Sequence, residues 1–273
     1  MTDSVDRVRA YYDVRAESEW HRLALPFDGE VEWEIHRRAL AEWLPAGARV
    51  LDVGGGPGRW AIWLAQRGHR VVLADLSPAQ LEIARREIAA AGAGDAIEAV
   101  LELDARDLSR FAEASFDAVL SLGPFYHLTE EAGRRRALEE AVRVLRPGGR
   151  LFATVMARYS WLLGVVMEAG SARLSEVRAL LESGVYRNPE PDRFTEAYLF
   201  RPEAVAEFFE GSGLTTLKVL ASQGILNLVQ DQVAALRERD EAAWEALIEI
   251  AYETAADPSI HGLSNHLLHI GEK

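Results

Sequence analysis

From Arg49 to Val155, short apolar runs alternate with longer stretches whose apolar positions recur three and four residues apart. Runs of the first kind predict strands and stretches of the second predict amphipathic helices. The strands are expected at Arg49–Val53, Arg70–Ala74, Ile97–Leu103, Phe116–Leu122 and Arg150–Val155. Between them the first helix runs from Arg59 to Arg67 and stops at Gly68. The second opens on Ser77-Pro78-Ala79-Gln80, with serine at the N-cap, proline in the first turn and glutamine three residues on, and continues to Ala91. A third runs to Leu145, with Thr129 as its expected cap and Glu130 and Glu131 at its positive end, and Arg146-Pro147-Gly148-Gly149 ends it. Strands alternating with helices in this way predict a doubly wound α/β sheet.

Beyond strand five the rhythm breaks. Residues 157–201 read as helical stretches with Pro189 and Pro191 and no strand. The alternation then returns as a helix from Pro202 to Glu210, a turn at Gly211-Ser212-Gly213, a strand at Leu214–Leu220, one long amphipathic helix from Asp231 to Ala255, and a strand-like end at Asn265–Ile270. The chain is therefore expected to be a single domain over 1–273. Residues 1–45 form an N-terminal helical cover, 46–156 a cofactor-binding core, 157–201 an inserted lid, and 202–273 the rest of the sheet.

The stretch with the most chemistry is Val50-Leu51-Asp52-Val53-Gly54-Gly55-Gly56-Pro57-Gly58-Arg59-Trp60. An apolar strand ends near an acid, passes through a glycine-rich turn and opens into a helix, and Asp75 closes the next strand. Two acids at the carboxyl ends of adjacent strands point to a cofactor with a ribose. A dinucleotide fingerprint needs a third glycine where this chain has Arg59. The spacing Asp52-x-Gly54-x-Gly56-x-Gly58 instead resembles motif I of the class I S-adenosylmethionine-dependent methyltransferases, bacterial small-molecule type. Ser121-Leu122-Gly123-Pro124-Phe125-Tyr126-His127-Leu128 resembles their motif IV.

The resemblance implies a Rossmann-like methyltransferase fold: a seven-stranded, mostly parallel sheet whose last strand is antiparallel. It implies S-adenosyl-L-methionine as cofactor and no metal. Gly54, Gly55, Gly56 and Gly58 would let the methionine portion lie close to the backbone, with Asp52 near its amino group. Asp75 would take the ribose hydroxyls and Leu76 would pack on the adenine. Asp104 would receive the adenine amino group, beside the backbone of Ala105. Ser121 and Leu122 would border the cofactor, and Tyr12 of the aromatic N-terminal segment would reach its carboxylate. At the transferring methyl, Tyr126 would turn toward the sulfonium and His127 would either take a proton from the acceptor or orient the loop. Arg158, Tyr159, Trp161, Met167, Tyr186, Phe194, Tyr198 and Phe200 would close over an apolar acceptor or form the lid's own core.

Composition narrows the partners. The 273 residues carry 30 Lys+Arg against 43 Asp+Glu, a formal charge of −13. Such a surface repels phosphate backbones, so the expected acceptor is a small, partly apolar molecule and not nucleic acid. Cysteine is absent, which excludes disulfides, thiolate metal sites and a thiol nucleophile. The apolar stretch Trp161–Met167 is too short to span a bilayer. His261, His266 and His269 form no metal set, and strand alternation points His266 and His269 to different faces. A cytoplasmic monomer or homodimer is expected. The alternatives are an NAD-dependent oxidoreductase, which Arg59 and Asp52 disfavour, and a non-catalytic cofactor-binding subunit.

Overall fold

The computed structural model describes residues 4–22, 28–169, 173–187 and 194–273. The sheet core is β1 (Arg49–Val53), β2 (Arg70–Asp75), β3 (Ile97–Glu102), β4 (Phe116–Ser121) and β5 (Leu145–Ala157). These run parallel in the order β3-β2-β1-β4-β5. β9 (His266–Glu272) lies antiparallel against β5, and β8 (Thr215–Ala221) antiparallel against β9. These are the seven expected strands, with the last one reversed.

Alternate residues of each central strand belong to different cores. Val50, Leu73 and Leu120 pack on one face, against α4 (Arg59–Ala65) and α5 (Pro78–Ala90). Leu51, Val72 and Val119 pack on the other, against α7 (Glu131–Val144) and α10 (Val205–Glu210). Both faces are covered, so the strands read as continuous apolar runs.

The predicted boundaries hold for β1 and come within one or two residues for most other elements. Ser77 caps α5, its side chain accepting from the Gln80 N–H. Four expectations need correction. Thr129 does not cap α7. The helix starts at Glu131, and the Leu128 and Thr129 carbonyls accept from the Arg134 guanidinium at 2.7 and 2.8 Å. Strand five begins at Leu145, because the supposed stop at Pro147-Gly148-Gly149 is bonded to the chain's end: Gly148 N–H donates to the Lys273 carbonyl and Lys273 N–H to that of Gly149. The stretch 157–201 does contain strand. After α8 (Arg158–Ala169) and α9 (Leu174–Ser183), β6 (Val185–Tyr186) pairs antiparallel with β7 (Ala197–Phe200), and β7 pairs parallel with Met156 and Ala157, beyond the end of β4. Among the described residues the sheet thus has nine strands. Pro189 and Pro191 lie outside the described residues.

The fourth correction is the long C-terminal helix, which is two: α11 (Gln230–Arg239) and α12 (Glu241–Thr254). Asp240 breaks it, with φ −150° and a carboxylate that accepts from the Ala243 N–H at 3.0 Å. An aspartate that caps the second helix interrupts the first while leaving the apolar periodicity nearly intact. α12 then packs Trp244 and Ile248 against Val31 and Ile35 of α3 (Asp28–Trp43).

Asp240→Ala leaves the start of α12 uncapped at an exposed position. It is expected to lower stability by about 1 kcal/mol in urea denaturation with an unchanged m-value, the usual cost of losing an Asp N-cap.

Candidate active site

The strand order reverses between β1 and β4, where the connections leave toward opposite sides and a crevice opens at the carboxyl ends. A cleft of about 320 Å³ lies there. It is lined by the turns after β1, β2, β3 and β4, by Met156 at the end of β5, and by His266 at the start of β9. Because β9 is antiparallel, its first residue meets the last residues of the parallel strands.

The glycine turn is held by a carboxylate. Asp75 Oδ2 accepts from the Gly56 N–H and Oδ1 from the Ser77 N–H, both at 2.8 Å. Gly54, Gly56 and Gly58 have φ of 69°, 55° and 87°, the left-handed region that favours glycine. A Cβ on Gly54 would sit 2.5 Å from Pro124 Cγ, and one on Gly55 2.5 Å from Asp52 Oδ2. Around Gly56 the nearest atom is Gln80 Oε1 at 3.6 Å, so its Cα faces open cleft.

Asp52 is buried, and its Oδ2 has no hydrogen-bond partner among the described residues. Burial, reinforced by the nearby Asp75 charge, pushes its carboxyl up to about 7. Burial raises Asp75 to about 6, its backbone N–H donors opposing the rise.

Asp52, Gly54, Gly55 and Gly56 line the cleft, as do Asp75, Leu76, Asp104 and Ala105. Leu122, Tyr126, His127 and Tyr12 complete the expected set there. Two expected residues do not. Gly58 is the N-cap of α4, where an added Cβ would press on Ala84 and Leu73, so its glycine serves helix packing. Ser121 is buried at the end of β4, away from the cavity wall.

Tyr12 lies on α1 (Ser4–Asp13), and its hydroxyl is 2.7 Å from His127 Nε2. His127 Nδ1 meets the Glu196 carbonyl at 3.2 Å. A carbonyl can only accept, so Nδ1 carries the proton and Nε2 accepts from Tyr12. Burial lowers the His127 pKa to about 4 and raises that of Tyr12. The cover is anchored on both sides of the cavity. Asp13 accepts from Ser77 Oγ at 2.5 Å, while Ser4 and Arg7 bind the Glu196 carboxylate. α2 (Ala16–Arg22) continues the cover, and Arg59 donates to its Trp20 carbonyl at 2.7 Å.

Of the aromatic insertion, Trp161 and Phe194 line the cleft, with ring centroids 5.4 Å apart. Tyr186 forms core with Leu162, Leu180 and Leu199. Phe200 belongs to the core beneath α7 and α10, Tyr198 packs against it, and the Arg134 guanidinium lies 3.5 Å over the Tyr198 ring. Arg158 is buried, donating to the Leu181 and Leu199 carbonyls. Tyr159 and Met167 are exposed.

Sequence reasoning missed a buried group in the wall of the cleft. Glu32 of α3 is 4% exposed, and its Oε2 accepts from His266 Nδ1 at 2.9 Å and from Gln223 Nε2 at 3.3 Å, with Arg22 Nη1 at 3.8 Å. Against the cost of burial, His266, Arg22 and His36 hold its carboxyl far below the usual range. Beside it His36, 2.8 Å from Ser222 Oγ, is lowered to about 4 by burial. A signal existed: Val31, Glu32, Ile35, His36, Ala39 and Leu40 form one buried stripe, with two polar residues at i and i+4. His269 points away as expected, stacked on Phe209 at 4.1 Å.

Residues 50–149 match the family of the methyltransferase domain. The chain is 38% identical over 121 residues to the tRNA 5-carboxymethoxyuridine methyltransferase of Escherichia coli (strain K12), covering 44% of each protein. It is 42% identical over 107 residues to the demethylmenaquinone methyltransferase of Clavibacter sepedonicus, covering 39% of this chain and 40% of that one. The match thus spans less than half the length of these two relatives. In fold it is similar to the Burkholderia thailandensis 1,6-didemethyltoxoflavin-N1-methyltransferase, with TM-score 0.59 and 18% identity over 98% of this chain and 88% of that one.

The buried Asp52 makes a prediction before any ligand is named. Its folded pKa lies above that of an unfolded aspartate, so the native state holds an extra proton between about pH 4 and pH 7 and loses stability as pH rises through that window. Asp52→Asn removes this term. In urea denaturation of the ligand-free protein from pH 4 to pH 7.5, the variant should gain stability relative to wild type as pH rises. A constant difference would mean that Asp52 ionises normally. Residues 50–149 of this chain match the methyltransferase-domain family, and its fold is similar to that of the solved methyltransferase.

Proposed function

We propose that the chain transfers a methyl group from S-adenosyl-L-methionine to a small, partly apolar acceptor by in-line displacement at the methyl carbon. The observation that carries this reading is the unpartnered, buried Asp52 Oδ2 at the floor of a glycine cradle. A carboxylate left there is costly unless a cation meets it. The cofactor's ammonium is such a cation, and Gly56 leaves the space beside it open. When bound, S-adenosylmethionine supplies a methyl group already activated by the sulfonium.

The chain's residues bind and align. Asp75 keeps a second lone pair on each oxygen beyond its bonds to Gly56 and Ser77, enough for two ribose hydroxyls. Leu76 packs on the adenine. Asp104, fixed by the Arg106 guanidinium at 2.6 Å, faces the adenine edge beside Ala105. Tyr126, Met156, Trp161 and Phe194 wall the remaining volume with apolar and aromatic surface, so the acceptor is held by shape and loses its water on entry. Tyr12 and His127 bond each other, and in this arrangement they tie the cover to the loop after β4.

The Escherichia coli relative is named for a tRNA substrate. The charge of −13 argues against that class for this chain, because neutralising phosphates requires a basic surface.

Calorimetry should show S-adenosylmethionine and S-adenosylhomocysteine binding while NAD does not. Asp75→Asn should weaken binding by about 1–3 kcal/mol, the scale of a charge-assisted hydrogen bond. Gly56→Val should abolish it, since a branched side chain would enter the cradle. Unchanged affinity in both variants would remove the cleft from cofactor binding.

With radiolabelled cofactor, methyl transfer is expected to a member of a panel of phenols, amines, carboxylic acids and quinols, and not to bulk tRNA. Methylation of tRNA with salt-sensitive binding would replace the small-molecule reading.

A further inference from the structure

Two histidines reach the cleft, and their hydrogen bonds set them apart. His127 has both nitrogens engaged, Nδ1 with the Glu196 carbonyl and Nε2 with the Tyr12 hydroxyl. His266 is engaged on one side only. Its Nδ1 lies 2.9 Å from Glu32 Oε2, and no hydrogen-bond partner of its Nε2 is found among the described residues. Glu32 is held as the carboxylate, so it has no proton to give and the hydrogen on that bond belongs to Nδ1. In the neutral ring the lone pair is therefore on Nε2, and His266 is a cleft residue with its ring centroid 5.8 Å from that of Tyr126.

We propose that His266, oriented by Glu32, is the proton acceptor for the methyl transfer, and that the acceptor carries an ionisable hydroxyl on an aromatic or conjugated ring. This rests on the reading of the cleft as a methyl-transfer site. In the step, the O–H bond of the acceptor breaks and its proton moves to His266 Nε2. The freed electron pair on oxygen forms the C–O bond to the methyl carbon as the S–C bond breaks, and sulfur keeps that bond's electrons, leaving S-adenosylhomocysteine. The positive charge passes to the imidazolium, next to the Glu32 carboxylate, and the proton then leaves to solvent.

The choice of a hydroxyl follows from the charges around the ring. Glu32 is already shared among His266, Gln223 and Arg22, and Glu19 accepts from Arg22 Nε at 3.1 Å. Neither carboxylate is bare to hold an ammonium, while Arg22 adds positive charge beside a developing oxyanion. From α3, His36 is neutral at pH 7, lowered to about 4 by burial, so it adds no charge. From the loop after β4, His127 is neutral for the same reason, and burial raises the Tyr126 hydroxyl above its ordinary range, so neither Tyr126 nor Tyr12 competes as the base. Tyr126, Trp161 and Phe194 supply flat walls for a ring.

One part of the test needs no acceptor. Nitrogen-15 spectra of histidine-labelled protein saturated with S-adenosylhomocysteine, with His266 assigned by its loss in His266→Gln, should show the Nδ1–H tautomer. An Nε2–H tautomer overturns the proposal. The second part uses the panel member that is methylated. His266→Gln should lower kcat by roughly 100-fold or more with cofactor affinity unchanged, and the His266→Ala variant should be rescued by added imidazole. Glu32→Gln tests positioning: kcat falls with KM nearly unchanged, and Glu32→Asp restores part of the rate. A full rate in His266→Gln, or a panel in which only amines or carboxylic acids react, overturns the proposal. A chain that binds the cofactor and methylates nothing overturns the small-molecule reading instead, and the tautomer then decides the dyad alone.

Discussion

Two carboxylates, the buried Asp52 and the half-buried Asp75, stand at the carboxyl ends of adjacent parallel strands, and the Asp75 charge raises the cost of ionising Asp52. A fold under selection for stability alone would remove one. Here Asp75 is partly compensated by two backbone N–H groups, and in accepting them it fixes the glycine turn and the start of α5 at once. Among the described residues Asp52 receives no such compensation on its Oδ2. The turn must therefore be glycine at 54, 55 and 56 for different reasons. Positive φ and Pro124 demand it at 54, the Asp52 oxygen and the Leu73 side chain at 55, and positive φ with an open cleft at 56. The strain of the site is concentrated in Asp52, which is where a cationic ligand returns it.

Buried charge is handled in another way at Glu32. Glu32 is surrounded by donors, so its ionised form is stabilised without any ligand. The cleft is thus lined by one carboxylate oxygen with no partner among the described residues and by one carboxylate already paired. In the proposed reaction that difference would draw the cationic cofactor to the glycine turn and leave the acceptor against His266, Tyr126, Trp161 and Phe194.

The strand-and-helix rhythm made the sheet legible, because residues within one strand or helix report their own periodicity. Asp52, Asp75 and Asp104 were legible for the same reason, each standing at or just past the end of a strand. What escaped was set by distant contacts. Glu32 and His266 are 234 positions apart, and nothing near either one announces the other. The break at Asp240 escaped because a capping aspartate interrupts a helix without disturbing its apolar stripe. The β6–β7 hairpin escaped because β6 is two residues long and exists by pairing with β7, which leans on the end of β5.

The cover and the insertion add walls to the crevice at the switch point. A doubly wound sheet leaves its switch point open to water. In this chain α1 crosses that opening, holding α5 through Asp13 and Ser77 and the insertion through Arg7 and Glu196. Tyr12 and His127 close the middle of the span. His127 is bonded into that cover: its Nε2 accepts from Tyr12, whereas no hydrogen-bond partner of His266 Nε2 is found among the described residues.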